Sequence, residues 1–327
     1  MRDGKVRFTV CAGLLAAVTG FTGIATPAHA QPSYAQPSYA QSAVAHASSA
    51  AQTLTVANDP PDVYGRAAYL LDATTGEALL TGNAGRRMPV ASLTKVMTAY
   101  VVLREADPAD KVKIIREDVE YAENNDGSAA DLRPGDRITV GDLLYALMLP
   151  SGADAAHALA RTYGPGIAGF TAKMNAAARE LGLRDTKYLN ADGLPTPKGQ
   201  GGVSTARDQA KLAEVALRDP RLEEVTSTRR HHVGRTEDHR AYTWTNTNSL
   251  LGSRGVIGLK TGFTRAAGYC LTFAADRDGH RLIGVILGER QSGRRFQTAR
   301  ALLNWAEDGM TADNMTEGHM TEGEAAA

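Results

Sequence analysis

The chain has 327 residues, 43% of them apolar, with 36 Lys plus Arg set against 36 Asp plus Glu. That much apolar material can build one large core or two small ones. A formal charge of zero leaves no field to attract nucleic acid or an anionic membrane, so neither class of partner is expected.

In chain order, basic Arg2, Lys5 and Arg7, an apolar run over 8–24 and the small-x-small sequence Ala28-His29-Ala30 predict a secretory signal peptide over 1–30. The run is short for a membrane span and is interrupted by Gly and Thr. Cleavage would remove Cys11 and leave Cys270, so an exported protein without an internal disulfide is expected. Residues 31–61 are rich in Ala, Ser, Gln and Pro and repeat Gln31-Pro-Ser-Tyr-Ala35 as Gln36-Pro-Ser-Tyr-Ala40. With so little to bury, they predict a disordered spacer.

Residues 62–307 carry the patterning of a single domain. The run AAYLLDATTGEALLTG reads as a hairpin about Thr75-Gly76, and SLTKVMTAYVVLREA places Val96, Ala99, Tyr100 and Leu103 on one helical face. VGDLLYALMLPSGADAAHALARTYG reads as two helices broken at Pro150-Ser151-Gly152, and GIAGFTAKMNAAARELGL as another. GVIGLKTGFT, GYCLTFAADR and HRLIGVILGER are strand-like runs at hairpin spacing, and RRFQTARALLNWAED closes the domain as a helix. Strands at both ends with helices between predict an α/β (α+β) fold, an antiparallel sheet flanked by helices and enclosing a helical insert. The tail over 308–327 repeats Met-Thr-Glu-Gly and is expected to be disordered and polar, with no C-terminal membrane anchor.

Within this frame, Ser92 and Lys95 lie one helical turn apart, close enough for a hydrogen bond. Serine needs a base, and a lysine serves as one only if burial or a second cation lowers its pKa from about 10.4 toward neutrality. A helix start at Ser92 adds the positive end of the dipole, which favours the charge that develops on attack. Downstream, Lys260-Thr261-Gly262 on a strand aligns a cation, a hydroxyl and a bare backbone position along a cleft wall, and Lys260 is the candidate second cation. Ser151, at the helix break, reads either as an N-cap or as a hydroxyl that relays a proton.

Ser-x-x-Lys, a Ser-x-Asn-type element and Lys-Thr-Gly, in that order, form the set shared by penicillin-binding proteins and class A β-lactamases. The flanks PVASLTKVMTAYVVL, LLYALMLPSGADAA, LNADGLPT, STARDQAKLA, TNTNSLLG, GLKTGFTRAAGYCLT, RLIGVILG and RRF together resemble the low-molecular-weight D-alanyl-D-alanine carboxypeptidases of peptidase family S11, over about 63–305. The resemblance implies a β-lactamase/DD-peptidase-like fold and an exported, cell-wall-associated enzyme. Its substrate would be a peptidoglycan stem peptide ending in D-Ala-D-Ala, and β-lactams would inhibit it. By that likeness Ser92 forms the acyl-enzyme, Lys95 is the acylation base and Ser151 relays a proton to the leaving amine. The backbone N–H groups of Ser92 and Phe263 would form the oxyanion hole, with Thr261 and Arg295 on the terminal carboxylate and Lys260 and Gly262 lining the cleft.

The family pattern fails at one position, where Ala153 stands in place of the usual Asn. A methyl cannot hydrogen-bond the substrate backbone, which keeps a D,D-transpeptidase and a catalytically weak penicillin-binding protein open as alternatives. A β-lactamase is not expected, because residues 181–213 contain no glutamate to activate a deacylating water. Asp192 reads as a turn residue and Asp208 as a helix N-terminal carboxylate. No cofactor is expected, nor a metal, since His231, His232 and His239 lack a completing ligand set.

Overall fold

The hairpin expected from the first patterned segment consists of β1 (Ala67–Asp72) and β2 (Glu77–Gly82). It turns on Asp72, whose carboxylate accepts from Thr74 N at 2.9 Å and Thr75 Oγ1 at 3.0 Å. The structure, a computed structural model, describes residues 59–196, 199 and 201–323, with side chains up to 309. The expected signal peptide over 1–30 and nearly all of the expected spacer over 31–61 lie outside the described residues.

From the hairpin the chain passes through β3 (Met88–Pro89) and a 3-10 turn, Ala91–Leu93, into α1 (Thr94–Glu105). β4 (Lys111–Lys113), α2 (Arg116–Asn124), β5 (Arg137–Thr139), α3 (Val140–Met148), α4 (Ala153–Tyr163) and α5 (Gly166–Glu180) follow. Next come β6 (Val203–Ser204), α6 (Ala206–Ala216), α7 (Pro220–Ser227) and a small hairpin of β7 (Arg230–Val233) and β8 (Tyr242–Thr245). The long strands β9 (Val256–Thr264), β10 (Gly268–Arg277) and β11 (His280–Glu289) precede α8 (Arg294–Gly323). The backbone of α8 stays helical to Gly323, through much of the stretch whose composition predicts a polar tail.

The main sheet has the order β2-β1-β11-β10-β9. β1 pairs antiparallel with β11, Tyr69 opposite Val285, so the sheet joins segments from opposite ends of the domain as its patterning predicts. Side chains alternate across the sheet with period two. Ala67, Tyr69, Leu71, Cys270, Ala274, Ile283, Val285 and Leu287 face the insert core, with α1, α3, α4, α5 and α6. Leu70, Leu271, Phe273, Ala275, Leu282 and Ile286 face the other way, onto Phe296, Ala299, Leu302, Leu303 and Ala306 of α8. Each such aliphatic side chain removed from water contributes about 1.5–3 kcal/mol, so two full apolar layers hold the sheet. Cys270 is free and buried.

Helix starts follow local chemistry. Thr139 caps α3 by accepting from Asp142 N, Thr205 caps α6 by accepting from Asp208 N, and Asp219 caps α7 with Pro220 in the first turn. α2 escapes the apolar-periodicity argument because REDVEYAEN is almost wholly polar. Besides the packing of Val119, Tyr121 and Ala122, it is fastened by one buried charge, Asp118, which accepts from Arg161 Nη2 at 2.8 Å and lies 2.8 Å from His157 Nδ1, both on α4.

Candidate active site

Ser92 sits in the middle of the 3-10 turn ahead of α1. Ala91 before it adopts φ 51°, a left-handed conformation that a non-glycine residue enters only at a cost. Lys95, in the first turn of α1, donates from Nζ to Ser92 Oγ at 3.1 Å and to the Asp192 carbonyl oxygen at 3.1 Å. The Ser92–Lys95 pair read from spacing is therefore formed, and its ammonium is aimed by a carbonyl from a loop 97 residues away. That loop is pressed against the turn. Gly193, at φ +85°, lies where a Cβ would be 1.9 Å from the Ala91 carbonyl oxygen, and Asn190 pins it by accepting from Gly193 N and donating to Leu194 O.

On the opposite wall, β9 carries Lys260, Thr261, Gly262 and Phe263. A Cβ at Gly262 would stand 3.1 Å from Ser92 N and 3.2 Å from Ala91 Cβ, so the bare position lets the strand backbone come up to the nucleophile's N–H. Thr261 Oγ1 lies 2.7 Å from Thr247 Oγ1, and Thr247 in turn donates to the Leu149 carbonyl oxygen at 3.3 Å. These bonds tie the strand to the α3–α4 turn that carries Ser151. The Ser151 backbone is left-handed, φ 67°, and its buried hydroxyl has no hydrogen-bond partner among the described residues.

Arg295, at the start of α8, is buried beneath the same strand. Its Nη1 donates to the carbonyl oxygens of Gly262 at 3.0 Å and Cys270 at 3.1 Å, and its guanidinium lies 5.2 Å from the Tyr269 ring centroid. It thus braces the backbone of the Lys-Thr-Gly strand. Phe263 is half exposed and stacks on Tyr269, ring centroids 4.3 Å apart.

Electrostatics distinguish the two lysines. Burial lowers the Lys95 pKa to about 8, while the carboxylates of Asp192 and Asp154 push back upward. Lys260 is driven well below the ordinary lysine value by burial and then by the charges of Lys95 and Arg295, with no carboxylate to offset them. Burial is the first cause for both lysines, and the repulsion between the two ammonium groups belongs to the pair.

Ala153 is fully buried in an apolar cluster with Ala122 and Leu194, against Tyr121. Tyr121 and Thr247 were not legible as site residues: one lies on a polar helix without periodicity, the other in a loop. Asp192, read as a turn residue, does accept from Leu194 N, yet it also supplies the carbonyl that Lys95 meets. Asp208 fastens the 185–186 loop, accepting from Asp185 N and Thr186 Oγ1. His231 lies 2.9 Å from Asp142, His232 2.9 Å from Thr243 Oγ1 and His239 2.9 Å from the Arg240 carbonyl oxygen, each at a separate place. Among the described residues no three His, Cys, Asp or Glu side chains group as a metal site.

The family model described as D-alanyl-D-alanine carboxypeptidase, Peptidase S11, matches residues 54–291. The chain belongs to that family. A D-alanyl-D-alanine carboxypeptidase of Streptomyces sp. strain K15 is 38% identical over 273 residues, 79% of this chain and 92% of the relative. D-alanyl-D-alanine carboxypeptidase DacC of Escherichia coli is 36% identical over 270 residues, 79% of this chain and 64% of the relative. The crystal structure of the Streptomyces K15 DD-transpeptidase superposes with a TM-score of 0.72 at 37% identity, covering 76% of this chain and 99% of that one. The S11 chain is accordingly a serine hydrolase with the DD-peptidase/β-lactamase-like fold. Among the described residues no helix is long and apolar enough to cross a membrane.

Proposed function

We propose that the protein is an exported, cell-wall-associated serine D-alanyl-D-alanine carboxypeptidase that removes the terminal D-Ala from peptidoglycan stem peptides and is acylated by β-lactams. The observation that carries this reading is the 3.1 Å contact between Lys95 Nζ and Ser92 Oγ, with Lys95 buried at a pKa of about 8. At pH 7 about one Lys95 in ten is then uncharged and able to take the hydroxyl proton, against fewer than one in a thousand for an ordinary lysine.

In this reading Ser92 Oγ attacks the carbonyl between the two D-alanines as its proton passes to Lys95 Nζ. The oxyanion is met by the N–H groups of Ser92 and Phe263, donors of a kind whose individual loss costs roughly 2.7–4 kcal/mol. The tetrahedral intermediate collapses to the Ser92 ester when the leaving D-alanine nitrogen receives a proton through Ser151, whose hydroxyl has no other commitment among the described residues. D-Alanine leaves, and water gives up a proton to Lys95 Nζ as its oxygen adds to the ester carbonyl. The C–O bond to Ser92 then breaks, releasing the shortened peptide as its carboxylate while Ser92 Oγ recovers a proton. Thr261 binds the terminal carboxylate, and Arg295 supplies positive charge while holding β9 in place. Lys260 and Gly262 complete the wall.

The buried methyl of Ala153 and the DD-transpeptidase name of the Streptomyces structure favour a second reading, in which an amine replaces water as acceptor. Labelling with a fluorescent penicillin tests the core of both: wild type should acylate and Ser92→Ala should not. Failure of wild type to label, or labelling of the alanine variant, would overturn the assignment of Ser92. D-Alanine released from a diacetyl-Lys-D-Ala-D-Ala peptide without an amine acceptor supports the carboxypeptidase. Release only with acceptor supports the transpeptidase.

A further inference from the structure

Among the described residues β9 is an edge strand of the main sheet, so an extended ligand can pair along its outer side. In the acylation reading the terminal carboxylate lies at Thr261 and the attacked carbonyl at the N–H groups of Ser92 and Phe263. A substrate laid out in that direction runs antiparallel to β9. Its upstream part therefore continues past Phe263 and Thr264 toward the β9–β10 turn at 265–267, at about 3.3 Å per residue.

At that turn the surface opens into a depression of about 470 Å³. Phe263, half exposed, and Tyr269 stacked on it form an aromatic side. Arg66, Arg265 and Arg290 place three guanidinium groups around it, against one carboxylate, that of Glu289. Arg66 braces the turn, its Nη2 donating to the carbonyl oxygens of Ala266 at 3.0 Å and Ala267 at 2.7 Å. Glu289 is 1% exposed, and its Oε1 accepts from Arg290 N at 2.6 Å and Gln291 N at 3.2 Å, which fixes the backbone that carries Arg290. Arg265 and Arg290 are exposed, and their side chains have no hydrogen-bond or ion-pair partner among the described residues. The depression is thus distinctly positive in a chain whose formal charge is zero, and two of its cations are uncommitted.

We propose that this depression is a subsite for the part of the substrate upstream of D-Ala-D-Ala, and that it selects a carboxylate on the side chain of the preceding residue. The aromatic pair packs against the aliphatic stem of that side chain, and Arg265 and Arg290 meet its carboxylate with paired donors. The inference rests on the Ser92 acylation reading, which sets the direction of the substrate along β9.

The test is competition with fluorescent-penicillin labelling of Ser92, read as the peptide concentration that halves the labelling rate, a measure indifferent to whether water or an amine is the acceptor. The competitors are diacetyl-Lys-D-Ala-D-Ala, the same peptide with succinyl in place of acetyl on the lysine Nε, and the peptide with that nitrogen left as a free ammonium. The succinyl peptide should protect wild type at about three- to tenfold lower concentration than the diacetyl peptide, as two part-exposed ion pairs would give, and the ammonium peptide should protect least. Arg265→Ala and Arg290→Ala should each shrink that preference. The double charge reversal, Arg265→Glu with Arg290→Glu, should invert it, with thermal unfolding as the folding control. Equal protection of wild type by the three peptides overturns the subsite, and so does a preference that survives undiminished in both alanine variants. A wild type that never labels overturns the Ser92 assignment instead, and labelling that no peptide slows overturns the D-Ala-D-Ala reading, so the failures are distinguishable.

Discussion

At Gly193 a methyl group would stand 1.9 Å from the Ala91 carbonyl oxygen and 2.7 Å from Thr94 Oγ1, in a backbone conformation that L side chains rarely adopt. The loop that orients Lys95 and the turn that carries Ser92 touch through that bare position. Gly193→Ala must therefore separate them. We expect a loss of at least about 2 kcal/mol of stability from the positive φ and the clash together. Penicillin acylation should fall at least about tenfold, because an ångström of displacement at a base suffices for such a loss. Unfolding and labelling of the variant measure both. At this scale the contact of Lys95 with Ser92 was legible from the sequence, since residues one helical turn apart share a face, and Lys260 and Thr261 stood out through the resemblance of Lys-Thr-Gly to a family motif. The Asp192 carbonyl was not legible. Backbone acceptors leave no trace in side-chain identity, and this one comes from a loop 97 residues downstream of the base.

Among the elements, α2 is a helix the sequence reading missed, as it missed α7 and the short strands β3 to β8, and one that leans on a single buried charge. Asp118 is fully buried at the start of that helix and accepts from Ile115 N, Arg161 Nε and Arg161 Nη2, with His157 Nδ1 2.8 Å away. Burial alone would raise its pKa, but the hydrogen bonds from His157 and Arg161 win and hold it below the usual value of 3.8. The native state therefore favours the ionised form. The stabilisation this gives is complete above the ordinary carboxylate range and is lost as pH falls below about 4, through the lowered native value. Asp118→Ala leaves Arg161 and His157 without their acceptor and should cost about 3 kcal/mol at neutral pH. The cost should shrink on acidification, which chemical unfolding at two pH values would show. Elements whose stability comes from apolar faces, such as β1, β9, β10, β11 and α1, were readable because their period is written in residue type. The ion pair that fastens α2 is written in no such period.

Across the molecule, β1 leaves the sheet at Asp72 and its partner β11 begins at His280, with the whole insert threaded between them. α8 then covers the second face, and the buried Arg277 pairs with Glu307, which also meets Arg254. The overall plan, a sheet from both ends around a helical insert, followed from the order of strand-like and helix-like runs. The way α8 braces the site, with Arg295 under Gly262 and Cys270, could not be read from its local pattern, because it depends on a crossing set only by packing.

The sheet's pairing also has a kinetic side. Ser92 and Lys95 belong to the insert side, Lys260 and Gly262 to a strand that enters the sheet through β10 and β11. Closing the β1–β11 ladder means joining chain segments more than 200 residues apart before their contacts can reward it, a slow step in any search. During refolding from denaturant, far-ultraviolet helical signal should thus return well before the ability to take up a fluorescent penicillin. Simultaneous recovery of the two signals would mean that the ladder closes early. Antibiotic uptake by a refolding chain thereby becomes a clock for the last long-range pairing rather than for the local helices around the serine.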